Sequence, residues 1–303
     1  MNDMAGQPHG YETEGEGATR RKGHLCVIDG SNMLHRAWAM GRPTTRADGL
    51  EVGATILFGQ MMMKLLRRVL NGRNPPTHLA IFFDPSRSQS WRREVFEGYK
   101  AARPPMDEAL AAQIPLMKDM CKAMGVAHAT APRHEADDLI AAYVEDAVQR
   151  GDFCSIVSTD KDLMQLVRPG VLQLSTVQDK WYTEAAVEEK FKVKASQLGD
   201  YLALAGDSID GVPGAPGIGP KSAVSLLEQF GTLGAMLRRA EEIERKGWRK
   251  IITENREIIR MSRMLVSLDH AGSPRPLSVS SLRAPTAAEA WMGLEDWRKT
   301  NLA

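Results

Sequence analysis

The sequence predicts an α/β fold, a mainly parallel sheet with helices on both faces, joined to a smaller all-helical domain. Three observations carry this prediction. Short apolar runs alternate with helical stretches as far as about residue 195. Three of those runs close on a turn that bears an aspartate. Beyond that point the strand signals stop, and helices follow one another around a loop rich in glycine and proline.

Residues 1–22 hold four glycines and end on Arg20-Arg21-Lys22, and they read as a disordered arm outside the fold. The first strand is Leu25-Cys26-Val27-Ile28, which ends at Asp29-Gly30-Ser31. A helix through Met33, Leu34 and Trp38 follows it. Residues 57–70 form the next helix, with Leu57, Met61, Leu65 and Val69 at every fourth position. The second strand, Leu79-Ala80-Ile81-Phe82-Phe83, ends at Asp84-Pro85. A later helix sets Leu110, Ile114, Met117, Cys121 and Met124 on one face, and Pro115 is expected to kink or restart it. Residues 135–149 are helical and lead into a strand over 153–157 that ends at Ser158-Thr159-Asp160. These elements make a first domain over 23–195. The helical domain spans 196–270, with helices at 198–205 and 222–230. Residues 271–303 have prolines and scattered apolar residues without strong periodicity, and form a C-terminal extension with no role read from the pattern.

Composition removes several function classes. A length of 303 residues suits about two domains. The 39 Lys+Arg against 38 Asp+Glu leave +1, so no overall field draws the chain to nucleic acid or membrane. The longest uncharged run, 52–63, is twelve residues, short of the ~20 that a spanning helix needs. The N-terminus has no apolar signal-peptide stretch. Cys26, Cys121 and Cys154 are an odd set without metal-finger spacing, and read as buried thiols in a reducing cytoplasm.

The acids are more informative. Asp29, Asp84 and Asp160 each follow the end of a predicted strand, which in a parallel sheet is one shared edge, where α/β proteins place ligands. Glu135, Asp137 and Asp138 open a helix, Asp162 follows two residues after Asp160, and Asp207 and Asp210 lie on the loop into the helical domain. Taken singly, each acid has an ordinary explanation as a helix cap or a turn residue. Together they repel, by about 4 kcal/mol for a pair ~4 Å apart at an effective dielectric near 20. Oxygen-only donors with no neighbouring His or Cys favour Mg²⁺ or Mn²⁺ over zinc. More carboxylates than one ion can use point to two ions and in-line phosphodiester hydrolysis.

The ordered motif set resembles the 5′ nuclease family: the 5′→3′ exonuclease domain of bacterial DNA polymerase I, bacteriophage 5′ exonucleases and flap endonucleases. The matching segments are Val27-Ile-Asp-Gly-Ser31, Phe83-Asp84, Tyr99-Lys-Ala-Ala-Arg-Pro-Pro-Met106, Glu135-Ala-Asp-Asp138, Ser158-Thr-Asp-Lys-Asp162, Gly206-Asp-Ser-Ile-Asp210 and Gly214-Ala-Pro-Gly-Ile-Gly-Pro-Lys221. They cover about residues 24–270 in the family's order. The resemblance implies a PIN-like catalytic domain with a helical arch and a helix-hairpin-helix domain. It matches Asp29, Asp84, Glu135, Asp137 and Asp138 to the first-metal cluster, and Asp160, Asp162, Asp207 and Asp210 to the acids that complete the site and hold a second ion. Lys100 and Arg103 match arch residues that reach the scissile phosphate, Arg92 and Tyr99 match positions near the arch, and Arg36 matches a basic residue beside the active site. Trp91 stands where the family often has Phe, and Gly211 where it often has Asn.

Two stretches read as DNA surfaces. Between Ser86 and Arg103 five basic residues outnumber two acidic ones, with Trp91, Phe96 and Tyr99 among them, which suits a single strand as well as it suits a solvated amphipathic helix. Gly214, Gly217, Gly219, Lys221 and Ser222 belong to a helix-hairpin-helix turn whose amides point at a phosphate from a helix N-terminus. In the family that turn clamps duplex and holds a K⁺ ion through backbone carbonyls. Residues 238–263 carry nine basic and five acidic residues, either an extension of the duplex footprint or a surface laced with ion pairs.

The expected protein is therefore a stand-alone, monomeric 5′→3′ exonuclease or flap endonuclease. It uses two Mg²⁺ or Mn²⁺ ions on DNA with 5′ ends, flaps or branched junctions, and RNA–DNA hybrids are candidate substrates. Rivals are a PIN-type ribonuclease, which would lack the hairpin and Asp207/Asp210, and a non-catalytic branched-DNA binder, which would have lost metal acids.

Overall fold

A computed structural model describes residues 23–268 and 272–302, so the arm expected over 1–22 lies outside the described residues. The chain opens on β1 (His24–Asp29), α1 (Gly30–Met40), α2 (Gly53–Leu70), β2 (His78–Phe82) and α3 (Trp91–Val95). Then come α4 (Glu108–Ala123), β3 (Ala127–Ala129), α5 (Ala136–Gln149), β4 (Phe153–Val157), β5 (Val171–Ser175), β6 (Lys180–Tyr182) and α6 (Glu184–Phe191). The rest is helical: α7 (Leu198–Ala205), α8 (Pro220–Phe230), α9 (Leu233–Arg238), α10 (Lys246–Glu254), α11 (Arg256–Val266) and α12 (Ala287–Asn301).

The six strands form one sheet in the order β3-β2-β1-β4-β5-β6. Every neighbour is parallel except β5 with β6. Strand β1 is buried along its whole length because both faces are covered. Cys26 and Ile28 pack among residues of α1, α2 and α4, while Leu25 and Val27 pack among residues of α5. The chain runs from β1 to β2 on one side and reaches β4 on the other. The crevice opens at that reversal, at the carboxyl end of β1, where Asp29 stands.

Several expectations change in detail. Pro115 lies inside an unbroken α4, which is pinned by buried Leu110, Met117, Met120 and Cys121. Strands β3, β5 and β6 were not expected. Within the C-terminal extension, residues 287–301 acquire a role: α12 packs on α2 and α4 and buries Ala290, Leu294 and Trp297. Trp297 Nε1 donates to Asp119 Oδ2 at 2.8 Å. The segment expected as a helical arch has a 3₁₀ turn at Arg87–Gln89, the five-residue α3, and then turns. Helix α3 is capped at Phe96, Gly98 lies within the turns that follow, and Pro104 and Pro105 lie in irregular chain before α4. Tyr99, only 4% exposed, anchors the segment in the core of the helical half, with Val95 and Phe96 packed beside it.

Candidate active site

Hydrogen bonds tie the strand-end acids into one frame. Asp29 caps α1 by accepting from the Asn32 amide at 2.9 Å, and its Oδ2 accepts from the Ser158 hydroxyl at 2.7 Å. The same hydroxyl oxygen accepts from the Asp160 amide at 2.9 Å, and Asp160 Oδ1 accepts from the Asp162 amide at 2.9 Å. Asp84 Oδ1 accepts from the Ala136 amide at 2.7 Å, which docks the start of α5 onto the end of β2. Gln173, fully buried in β5, was missed by the sequence reading. Its Nε2 donates to the carbonyls of Ser158 and Asp160 at 3.0 and 2.6 Å, so it shapes the loop that carries Asp160.

The nine candidate acids divide into two sets. Glu135, Asp138, Asp207 and Asp210 each have a basic partner. Lys100 Nζ is 2.8 Å from Glu135, Arg92 binds Asp138, Lys161 Nζ is 2.5 Å from Asp207, and Arg103 pairs with Asp210. Asp29, Asp84, Asp137, Asp160 and Asp162 have no lysine or arginine partner among the described residues. Among those residues, no three acid, thiol or imidazole groups close on one point, so the acids are spread along the strand-end edge. Repulsion between like charges is reason enough for that spacing.

Burial raises Asp29, Asp84, Asp137, Asp162 and also Asp210, whereas Glu135 is lowered. Burial, with the Asp84 charge added, pushes Asp29 up to about 7. Burial and the Asp160 charge push Asp162 up to about 8. Asp137 is raised well above the usual carboxylate range by burial and then by Asp160 and Asp29. Burial alone would also raise Glu135, but Lys100 and Arg92 outweigh it and hold that carboxyl below its ordinary value. Asp162 Oδ1 is buried with no hydrogen-bond partner. Oxygen donors that are crowded, desolvated and short of positive charge fit a hard divalent cation such as Mg²⁺ or Mn²⁺.

The basic residues fare differently. Lys100 holds a left-handed backbone (φ 51°), and its amide donates to the Asp210 carbonyl at 2.8 Å. Gly211 explains itself here: its φ is +70°, and a Cβ would come within 2.5 Å of the Gly98 carbonyl oxygen. Asparagine tolerates the dihedral better than most residues but not the contact. Tyr99 donates its hydroxyl to Glu135 Oε2 at 3.0 Å. Arg92 does not reach the cleft. It is 2% exposed, and its guanidinium is consumed by Asp138 and two carbonyls. Both Asp138 oxygens are correspondingly engaged, which sets that acid apart from those without a basic partner. Arg36 donates to Thr176 Oγ1 at 2.9 Å and pairs with none of the nine acids. His35 went unremarked in the sequence, where a lone histidine carries no signal, yet the charges of Asp84, Arg103, Arg87 and Lys100 all act on it.

In the helical half, Gly219 caps α8 without a side chain, Pro220 takes the first helical position, and Lys221 is exposed. Gly217 is exposed with φ +84°. Gly214 is buried instead, its amide donating to Ser262 Oγ at 3.1 Å, so it shapes the hairpin from behind.

Comparison with known proteins agrees with this geometry. The family model for "5'-3' exonuclease, N-terminal resolvase-like domain" matches residues 24–192, and the one for "5'-3' exonuclease, C-terminal SAM fold" matches residues 193–289. DNA polymerase I of Rhizobium leguminosarum is 42% identical over 258 residues, 83% of this chain but 25% of that protein. Flap endonuclease Xni of Cronobacter sakazakii is 35% identical over 247 residues, 81% of this chain and 92% of that protein. The fold is similar to that of the T5 D15 protein co-crystallised with metal ions (TM-score 0.67, 19% identity, 91% and 97% coverage). An acid-bearing strand-end edge, a helical half with a glycine-rich hairpin and these matches lead to one conclusion: the chain belongs to the 5′-3′ exonuclease family.

Proposed function

We propose that the protein is a divalent-metal-dependent 5′ nuclease that hydrolyses DNA phosphodiester bonds near 5′ ends or flaps. The observation that carries this reading is the set of five carboxylates without basic partners at the strand-end crevice, faced by Lys100 and Arg103. Asp29, Asp84, Asp137, Asp160 and Asp162 are the acids that would hold Mg²⁺ or Mn²⁺, with Asp207 and Asp210 completing the place of a second ion. Bound there, such ions supply Lewis-acid activation of water and of the phosphodiester.

The chain's own residues do the rest. Glu135 holds Lys100 and keeps its ammonium charged, so that it can meet charge developing on the reacting phosphate. Arg103, more open than Lys100, extends that cationic wall. Arg92 and Asp138 act as positioning residues, joining α5 to the helical half. Residues 23–195 serve as the catalytic half and 196–270 as the duplex-binding half. There the α8 amides, Gly217, Gly219, Lys221 and Ser222 would meet phosphate, and hairpin carbonyls would hold K⁺. The 5′ end or flap passes beneath the 86–107 segment, and a monomer suffices.

The test is cleavage of 5′- and 3′-labelled duplex, 5′-flap and RNA–DNA hybrid substrates with and without Mg²⁺. Release of 5′-phosphorylated products from the 5′ side, only with Mg²⁺, is expected. Degradation that begins at 3′ ends overturns the reading.

A further inference from the structure

Lys161 lies between Asp160 and Asp162 in sequence, yet its ammonium forms its ion pair with neither. Its Nζ sits 2.5 Å from Asp207 Oδ2, across on the loop that enters the helical half. Asp207 Oδ1 accepts from the Ile209 amide at 3.0 Å, so both oxygens of this nearly buried carboxylate are engaged. The Asp207 backbone is clamped on either side. Its amide donates to the Val212 carbonyl at 2.9 Å, and its carbonyl accepts from the Val212 amide at 2.8 Å. The carboxylate therefore has little freedom to turn. Lys161 is about a third exposed on a flexible four-carbon stem, and it is the partner able to leave.

A cation that needs Asp207 must compete with this ammonium. Asp162 next to it presents a buried Oδ1 with no hydrogen-bond partner, and Asp210 is held by Arg103 with Lys100 farther off at 3.9 Å. We propose that Lys161 is an internal competitor for the second metal ion, and that it releases Asp207 when a DNA phosphate recruits its ammonium. The inference rests on the proposed reading of the acids as metal ligands. Without DNA the protein takes one ion well and the second weakly. Phosphate arriving in the cleft draws Lys161 off and opens the second place. By thermodynamic reciprocity, the second ion must then strengthen DNA binding by the same factor.

The experiment is Mn²⁺ titration of the full chain, followed by electron paramagnetic resonance of free Mn²⁺. It is run with and without a 5′-flap duplex whose scissile linkage is a bridging 3′-methylenephosphonate, which keeps the negative charge but has no P–O3′ bond to cleave. Lys161→Met and Lys161→Gln, each checked for an unchanged fold by circular dichroism, should tighten the second Mn²⁺ about tenfold without DNA. They should also lose most of the tightening that DNA causes in the unaltered protein. Lys161→Arg, which keeps a cation on Asp207, should titrate like the unaltered protein. Second-site affinity that is unchanged or weaker in both neutral variants, with the first ion still bound, overturns the proposal alone. Failure of any variant, and of the unaltered protein, to bind Mn²⁺ overturns the metal-ligand reading and this proposal with it.

Discussion

Arg92 closes a two-pronged ion pair on Asp138, with Nη1 2.9 Å from Oδ2 and Nη2 2.8 Å from Oδ1. The same guanidinium donates to the Leu265 carbonyl at 2.7 Å and to the Ser267 carbonyl at 3.1 Å, at the C-terminal end of α11. One buried side chain thus joins the acid-bearing helix α5 to the helical half. Removing one member of such a pair strands the other charge in a dry site. Arg92→Met should therefore lower the unfolding free energy by about 3–5 kcal/mol, read by urea denaturation. Arg92→Lys should recover little, because an ammonium cannot reproduce four directed bonds. Loss below ~1 kcal/mol would mean that the pair is not buried as described.

The crowded acids make stability depend on pH in a definite direction. Asp29 and Asp162 ordinarily titrate near 3.8, and in the fold they rise to about 7 and about 8. The folded protein keeps these protons where the unfolded chain has already released them. The stabilisation is complete below about pH 3.8 and is lost as pH climbs through about 7 to 8. In EDTA, the melting temperature should fall across that upper range. The rise produced by millimolar Mg²⁺ should grow over the same range, since bound cations offset the exposed charge. Differential scanning fluorimetry from pH 5.5 to 8.5, about the span of these shifts, reads both effects. An Mg²⁺ shift that shrinks as pH rises contradicts the crowding of these acids.

Much of this was legible in the sequence, because aspartates after apolar runs mark strand ends and strand ends share an edge. Asp29, Asp84 and Asp160 fell there on pattern alone. What stayed hidden depends on contacts between distant segments. Strand β3 is three residues long and has no periodicity to find. In β5, Gln173 interrupts an apolar run, and its purpose appears only when β5 pairs with β4. Arg92 read as a surface cation because sequence gives charge and not burial. The helix α12 has a capping box at Thr286 and Glu289, a start signal that went unread amid the prolines before it.

That terminal helix gives a stability prediction with a silent active site. Trp297 is buried against the α2 and α4 face, and Gly293 lies so close to α4 that a Cβ would meet the Ala123 carbonyl. Trp297→Ala should cost about 3–5 kcal/mol by chemical denaturation. Cleavage per folded molecule at 20 °C, roughly the temperature of greatest stability for ordinary domains, should stay within about twofold. A large fall in that rate with stability intact would assign α12 to the chemistry.

Gly211 tests the docking of the Lys100 turn on the Asp210 loop. Gly211→Ala places a Cβ against the Gly98 carbonyl at a positive φ, and should displace Lys100 from the cleft. A shift of about 1 Å at a charge-stabilising group can cost ~10²-fold in rate. Single-turnover cleavage should therefore slow by that order while duplex affinity changes little. Equal loss in affinity and rate would place the effect in the helical half instead.

The central claim is that the acids serve chemistry and the hairpin serves binding, and paired measurements on Asp160→Ala and Lys221→Ala test it most directly. Duplex affinity is measured in Ca²⁺ at several salt concentrations, and single-turnover cleavage in Mg²⁺. Asp160→Ala should abolish cleavage while binding DNA as tightly or more tightly, because a negative charge near phosphate is gone. Lys221→Ala should weaken binding and flatten the log affinity against log salt slope by about one unit. If Asp160→Ala lost affinity as severely as Lys221→Ala while still cutting DNA, the assignment of metal acids and phosphate-binding hairpin would be contradicted.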